Sequence, residues 1–192
     1  GTGTERVEAE LKKMFPEVRT LRWDRESTRQ KGGHDRILRA FGAQEANVLV
    51  GTQMLAKGLD LPLVTLVGVV LADVGLHLPD YRAAERVFQV LTQVAGRAGR
   101  SPLGGQVVLQ TFHPEHYAIQ AAAQHDYAGF YAAESGHRRR LRYPPFAQLL
   151  RLEYRHLDPG KAEQDARSMA ASLADLLEKQ ERRATDLIGP VP

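Results

Sequence analysis

Residues 64–71, VTLVGVVL, are apolar at almost every position. A strand with one wet face alternates polar and apolar residues. A run that is apolar on both faces belongs in the middle of a parallel sheet, with helices packed on either side. The flanking sequence supplies those helices. Residues 81–95 carry Ala84, Phe88, Leu91 and Ala95 on one helical stripe. A further short apolar strand follows at residues 105–111.

The same rhythm runs through the first 140 residues. Residues 4–14 form a helix with Val7, Leu11 and Met14 in register, with Thr4 as its N-cap and Pro16 as its stop. Strands are expected at residues 18–23 and 47–51, separated by a helix over 33–41 that turns Ile37, Leu38 and Phe41 inward. Pro114 opens a helix running to residue 123, and another spans 126–140. Strands alternating with helices define an α/β fold, a parallel sheet flanked by helices on both faces with right-handed crossovers.

Tyr143-Pro144-Pro145-Phe146 breaks this pattern, because consecutive prolines end a helix. We therefore expect a first domain over residues 1–143 and the start of a second, truncated α/β domain over 144–192. The second would hold a strand at 149–154, a helix at 161–180 with Ala162, Ala166, Met169, Leu173 and Leu176 on one stripe, and a strand beginning at 186–188. One β-α-β fragment buries little core by itself. The ending Gly189-Pro190-Val191-Pro192 reads as a cut within a larger protein.

Composition excludes several classes. The 192 residues contain no cysteine, so disulfides and thiolate metal sites are ruled out within them. The longest apolar stretch, residues 61–72, is interrupted by Pro62, Thr65 and Gly68 and is too short to span a bilayer. The opening residues are charged and do not resemble a secretion signal, so a soluble protein is expected. A formal net charge of +3 favours nucleic acid only slightly.

Two strings carry chemistry. Residues 93–100, QVAGRAGR, end the helix of residues 81–95 and place Gln93, Arg97 and Arg100 at spacings that project from one side. Gly96 and Gly99 leave room for close approach, and guanidinium forks match phosphate oxygens. A glycine-capped helix end with dipole-compatible arginines is the plainer account of the same string. Residues 50–62, VGTQMLAKGLDLP, leave the carboxyl end of a buried strand, where open parallel sheets bind ligands. There Thr52 and Gln53 can hold a nucleic-acid backbone without reading bases, Gly58 permits close approach, and Asp60 can accept from a sugar hydroxyl or orient an arginine. A polar turn and a plain loop would also explain these residues taken singly. Both strings in this order, about thirty residues apart, make coincidence a poor account.

Together the strings resemble motifs V and VI of superfamily-two helicases, and the chain is similar over essentially its whole length to the PriA family of primosomal replication-restart helicases. The resemblance also rests on residues 3–8, residues 24–32 in the motif IV region, residues 51–58, residues 80–86, Pro114-Glu115-His116 and residues 143–146. It implies a RecA-like second helicase lobe of the P-loop NTPase type. It further implies that Arg100 is an arginine finger, that Arg97 faces the phosphates and Gln93 helps position them, and that Gly58 and Asp60 touch the nucleotide. Thr52, Gln53 and Lys57, with Arg25 and Thr28 as further candidates, would contact DNA.

The implied activity is ATP-dependent DNA unwinding of the 3′-to-5′ translocase type, for primosome assembly and restart of stalled forks. The implied cofactor is ATP with magnesium. The implied partners are single-stranded and forked DNA, the first helicase lobe, single-stranded-DNA-binding protein and other primosome proteins, in a bacterial cytoplasm at the nucleoid and without membrane. The sequence contains neither a G-x-x-x-x-G-K-[ST] phosphate loop nor a DExH string, so the first lobe must complete the site and the isolated chain should be inactive. The family's zinc-binding cysteines lie upstream of this region.

The chain departs from the family at Leu59, where histidine is common, and at Leu71, which stands in place of the first residue of an Asp-x-Asp string and leaves Asp73. The alternative reading is a DNA- or partner-binding platform in a motor-inactive relative. No metal site is expected: His113 and His116 are read as part of a proline-started helix. Trp23 is read as a packing residue, and Asp80 and Arg82 as capping or surface groups. The basic run at 137–143 is either a DNA contact or the solvated end of a helix.

Overall fold

The computed structural model describes residues 3–29, 32–52, 63–98, 104–182 and 184–191. Residues 3–146 belong to one compact unit and residues 147–191 to a second.

The first unit contains two β-α-β arrangements. Strand β1 (Thr20–Trp23) and strand β2 (Val48–Gly51) pair in parallel, Thr20 opposite Val48 and Trp23 opposite Gly51. Between them lies helix α2 (Gly33–Gly42), preceded by α1 (Thr4–Met14). Strand β3 (Leu66–Val69) and strand β4 (Gln106–Leu109) likewise pair in parallel, Leu66 opposite Gln106 and Val69 opposite Leu109, with α3 (Ala83–Ala98) between them. Helices α4 (Tyr117–Ala123) and α5 (Tyr127–Arg140) follow. Among the described residues the strands form two two-stranded sheets and not the single sheet expected from the sequence.

The larger core sits on the second arrangement. Val87, Phe88 and Leu91 of α3 are buried with Ala118, Ile119, Ala121 and Ala122 of α4 and Phe130 of α5. Leu91 is 2% exposed, and burial of such a side chain contributes about 1.5–3 kcal/mol. Phe88 and Phe130 stack with ring centroids 4.0 Å apart and planes within 4°. The smaller core joins Trp23 and Ile37 with Leu21, Leu38 and Leu49. Trp23 is 3% exposed and its indole Nε1 donates to His34 Nδ1 at 2.9 Å, so it is a packing residue as expected.

Backbone chemistry explains why α2 starts where it does. Gly32, its N-cap, has φ +77°, a conformation costly for any residue with a Cβ. A Cβ on Gly33 would lie 3.1 Å from the Thr28 Cα, so the preceding turn packs directly on the helix start.

Several sequence expectations are corrected. Thr4 is the first helical residue of α1 and not its cap; Gly3 occupies that position, and the Thr4 hydroxyl donates to Asp24 Oδ2 at 2.5 Å. Helix α4 begins at Tyr117, three residues after Pro114, because His113 and His116 first close a turn and the His116 ring then caps the helix by accepting from the Ala118 amide. Strand β3 is not covered on both faces, since Leu66 is 60% exposed and Val108, opposite Gly68 on β4, is 58% exposed.

In the second unit, residues 149–154 and 186–188 are not strands, and among the described residues the paired strands are β1 with β2 and β3 with β4. This unit consists of α6 (Pro159–Lys179) with irregular flanks. Asp158 caps α6 by accepting from the Gly160 and Lys161 amides, and Pro159 occupies the first position. No residue of α6 is buried, and Ala162, Ala166, Ala170, Leu173 and Leu177 are half-buried along one stripe.

Candidate functional site

Parallel pairing directs both β1 and β2 out at the same edge. Trp23 opposes Gly51, so Asp24 and Thr52 leave the sheet side by side in register. The motif IV region and the start of the motif V string therefore share one carboxyl edge, the position at which α/β sheets receive ligands.

The turn after β1 is tightly built. Asp24 is buried, and its Oδ1 accepts from the Ser27 amide at 2.8 Å and from the Glu26 amide at 3.1 Å. Its amide donates to Ser27 Oγ at 2.9 Å, and Arg22 Nε lies 3.1 Å from Oδ2. The Ser27 amide, the Thr4 hydroxyl and the Arg22 charge hold the Asp24 carboxyl at about 2 against the opposing effect of burial. Thr28 spends its hydroxyl on Asp24, donating to the backbone carbonyl at 2.6 Å. Arg25 is exposed and Thr28 half-buried on this edge, and Thr52 is exposed on the neighbouring strand end. Gln53, Lys57, Gly58 and Asp60 lie outside the described residues.

Helix α3 carries the motif VI string on its last turns. Gln93 is exposed there, and the backbone of Arg97 lies on the same helix. Arg100 is outside the described residues. The helix is seated at its start by Asp80, which accepts from the Arg82 amide at 2.9 Å and pairs with Arg86 Nη2 at 2.7 Å. The Arg82 amide, with the Arg86 and Arg82 charges, lowers the Asp80 pKa against burial. Asp80 therefore closes the turn just before α3, and Arg82 is a half-exposed neighbour whose guanidinium sits 5.4 Å from the Tyr81 ring centroid.

A clamp of paired charges was only partly visible in the sequence. Arg138 of α5 reaches Glu134 with Nε and Glu85 of α3 with Nη2, both at 2.7 Å, and donates to the Pro144 carbonyl at 3.3 Å. Glu134 also accepts from the Tyr117 hydroxyl at 2.5 Å, and burial together with that acceptor raises the Tyr117 pKa. Tyr117, Glu134 and Arg138 border a cavity of about 260 Å³. Of the basic run, Arg138 is thus an internal tie and Arg139 sits 4.7 Å from the Phe146 ring centroid. The sole sequence signal for the clamp was the four-residue spacing of Glu134 and Arg138; its partner Glu85 is 53 residues away.

At the end of β3, Asp73 is buried and its Oδ1 accepts from the Phe112 amide at 3.3 Å. Burial opposes its ionisation, but hydrogen bonds from its own amide, the Thr111 hydroxyl and the Phe112 amide outweigh that and lower its pKa. Leu71, two residues earlier, adopts φ +57°.

A parallel β-α-β lobe whose motif V string leaves one strand and whose motif VI string ends the helix over another defines a helicase lobe. In agreement, residues 3–102 match the helicase conserved C-terminal domain, and the chain belongs to that family. The relatives it resembles are replication restart proteins PriA. The chain is 51% identical to the Bacillus subtilis protein over 88% of its own length and 21% of the relative's. It is 46% identical to that of Synechocystis over 100% of its length and 23% of the relative's, and 37% identical to that of Haemophilus influenzae over 100% and 26%. The chain thus spans about a fifth to a quarter of the length of these relatives. Among the described residues no helix is long and apolar enough to cross a membrane.

Proposed function

We propose that this chain is the second motor lobe of an ATP-dependent DNA helicase of the 3′-to-5′ translocase type, serving primosome assembly and the restart of stalled forks. The observation that carries the reading is the order of the two strings within the matched segment: GTQMLAKGLD after β2, then QVAGRAGR at the end of α3. In this reading Arg100 is the arginine finger, Arg97 faces the phosphates, and Gln93 positions them. Gly58 and Asp60 line the nucleotide cleft. Thr52, Gln53 and Lys57, with Arg25 and Thr28 at the neighbouring strand end, hold the DNA backbone.

Helicases of this family use ATP with magnesium. The donors present, two guanidiniums and a glycine-flanked helix end, suit the outer phosphate of a nucleotide. The phosphate loop and the magnesium ligands belong to a first lobe, so the isolated chain hydrolyses nothing. Residues 1–143 would act as the motor lobe and 144–192 as the beginning of a following domain. The proposed setting is the bacterial cytoplasm at the nucleoid. Single-stranded and forked DNA, single-stranded-DNA-binding protein and other primosome proteins are the proposed partners.

In a protein carrying both lobes, Arg100→Ala should cut DNA-stimulated ATP hydrolysis by about a thousandfold or more while leaving DNA affinity nearly unchanged. Normal turnover by that variant would remove the arginine-finger role. Leu59 and Leu71, which depart from the family pattern, favour a motor-inactive platform as the second reading. Forked-DNA binding without ATP hydrolysis by the unaltered two-lobed protein would establish it.

A further inference from the structure

The residues at the carboxyl ends of β3 and β4 converge in a way the motor reading does not use. Asp73 and His77 flank the short turn after β3, where a 3-10 segment (Val74–His77) brings the two within reach. His113 enters from the loop after β4. One carboxylate oxygen and one nitrogen from each ring all lie within 4.8 Å of one another. The two imidazoles meet edge to face with centroids 5.6 Å apart. Glu115 Oε1 lies 3.5 Å from His113 Nδ1, a carboxylate beside the imidazole of the kind that orients metal-bound histidines. Asp73 is the buried anchor, tied to the β4 loop through the Phe112 amide, whereas both histidines open towards solvent.

We propose that Asp73, His77 and His113 form a binding site for a single divalent transition-metal ion of the zinc type. Two imidazoles and one carboxylate are the donor set of open zinc sites, with a fourth position left for water. Ligand atoms around a tetrahedral ion with bonds of about 2.0–2.1 Å stand about 3.3 Å apart, so modest side-chain rotation closes the observed spacing. Imidazole selects such ions over magnesium, which prefers oxygen ligands and retains its waters, so this site is distinct from any nucleotide-bound magnesium. The ion would join the loop after β3 to the loop after β4.

The test is titration of the 192-residue chain with Zn²⁺ by calorimetry and with Co²⁺ by visible absorption. One equivalent should bind, the Co²⁺ spectrum should show low-coordinate bands, and Zn²⁺ should raise the melting temperature. His77→Ala and His113→Ala should each weaken Zn²⁺ at least about tenfold, the scale of losing a ligand or its support. His156→Ala, in the second unit, should change nothing. The histidine variants should keep the metal-free melting temperature, since neither ring is buried. His113→Gln offers a still gentler substitution with the same expected loss. Absence of binding by the unaltered chain, or undiminished affinity in the His77→Ala, His113→Ala double variant, overturns the proposal. So does magnesium displacing zinc at equal concentration.

Discussion

Arg138 of α5 and Glu85 of α3 are joined at 2.7 Å although 53 residues separate them in the chain. The same guanidinium holds Glu134, whose side chain is 10% exposed. Removing the arginine would leave a buried carboxylate facing only a tyrosine hydroxyl. Arg138→Ala should therefore cost about 3 kcal/mol in urea denaturation, the scale of an uncompensated buried charge. Arg138→Lys should recover only part of this, because an ammonium cannot span both carboxylates as the fork does. A loss under ~1 kcal/mol, the range of surface pairs, would show the clamp to be solvated.

Leu71 sits in the left-handed region with φ +57°. Left-handed geometry costs a side chain with a Cβ about 1–2 kcal/mol, least for asparagine and aspartate. Leu71 is 37% exposed, so the burial forfeited on replacement offsets only part of that relief. Leu71→Asn should raise the urea midpoint by the equivalent of about 0.5–1 kcal/mol. An unchanged or lower midpoint would contradict the strain argument.

Asp24 sets an acid limit. Its folded pKa of about 2 lies below the ordinary 3.8, so the folded state binds this proton less readily than the unfolded state. The stabilisation is fully present above about pH 4 and is lost as pH falls through about 2. Between those limits the unaltered chain should lose about 1–2 kcal/mol on this account, and Asp24→Asn should show a shallower acid slope. Parallel slopes in chemical denaturation across that range would assign the acid sensitivity elsewhere.

Phe88 tests the core under the motif VI helix. It is 5% exposed and stacked on Phe130. Phe88→Ala should destabilise by about 3–5 kcal/mol through lost burial and a residual cavity. Phe88→Leu should cost much less. Equal losses for the two variants would show that ring stacking, and not filled volume, dominates there.

Much of this was legible from residue order alone. Helix α1 runs over Thr4–Met14 as its apolar stripe predicts, and all four strands lie within the apolar runs expected to form them. The two strings stood out by residue chemistry and spacing, their helicase reading came from resemblance, and the matched helicase segment spans both. The failures share one cause. Residues 149–154 carry strand-like composition, but a strand exists only when a neighbour accepts its hydrogen bonds, and none does so among the described residues. The helix stripe at 161–180 was likewise sound as periodicity, yet no residue of α6 is buried and its stripe is at most half-buried.

The sequence by itself determined the elements, the class and the order of the motifs, because these depend on periodicity, capping and residue chemistry within a few positions. Only the tertiary structure decided which distant groups meet. It joined Glu85 to Arg138, brought Asp24 level with Thr52 at one sheet edge, and gathered Asp73, His77 and His113. No local preference encodes those meetings. They follow from the parallel register of the strands and the seating of α3 against α4 and α5, which is settled by shared burial across the whole unit.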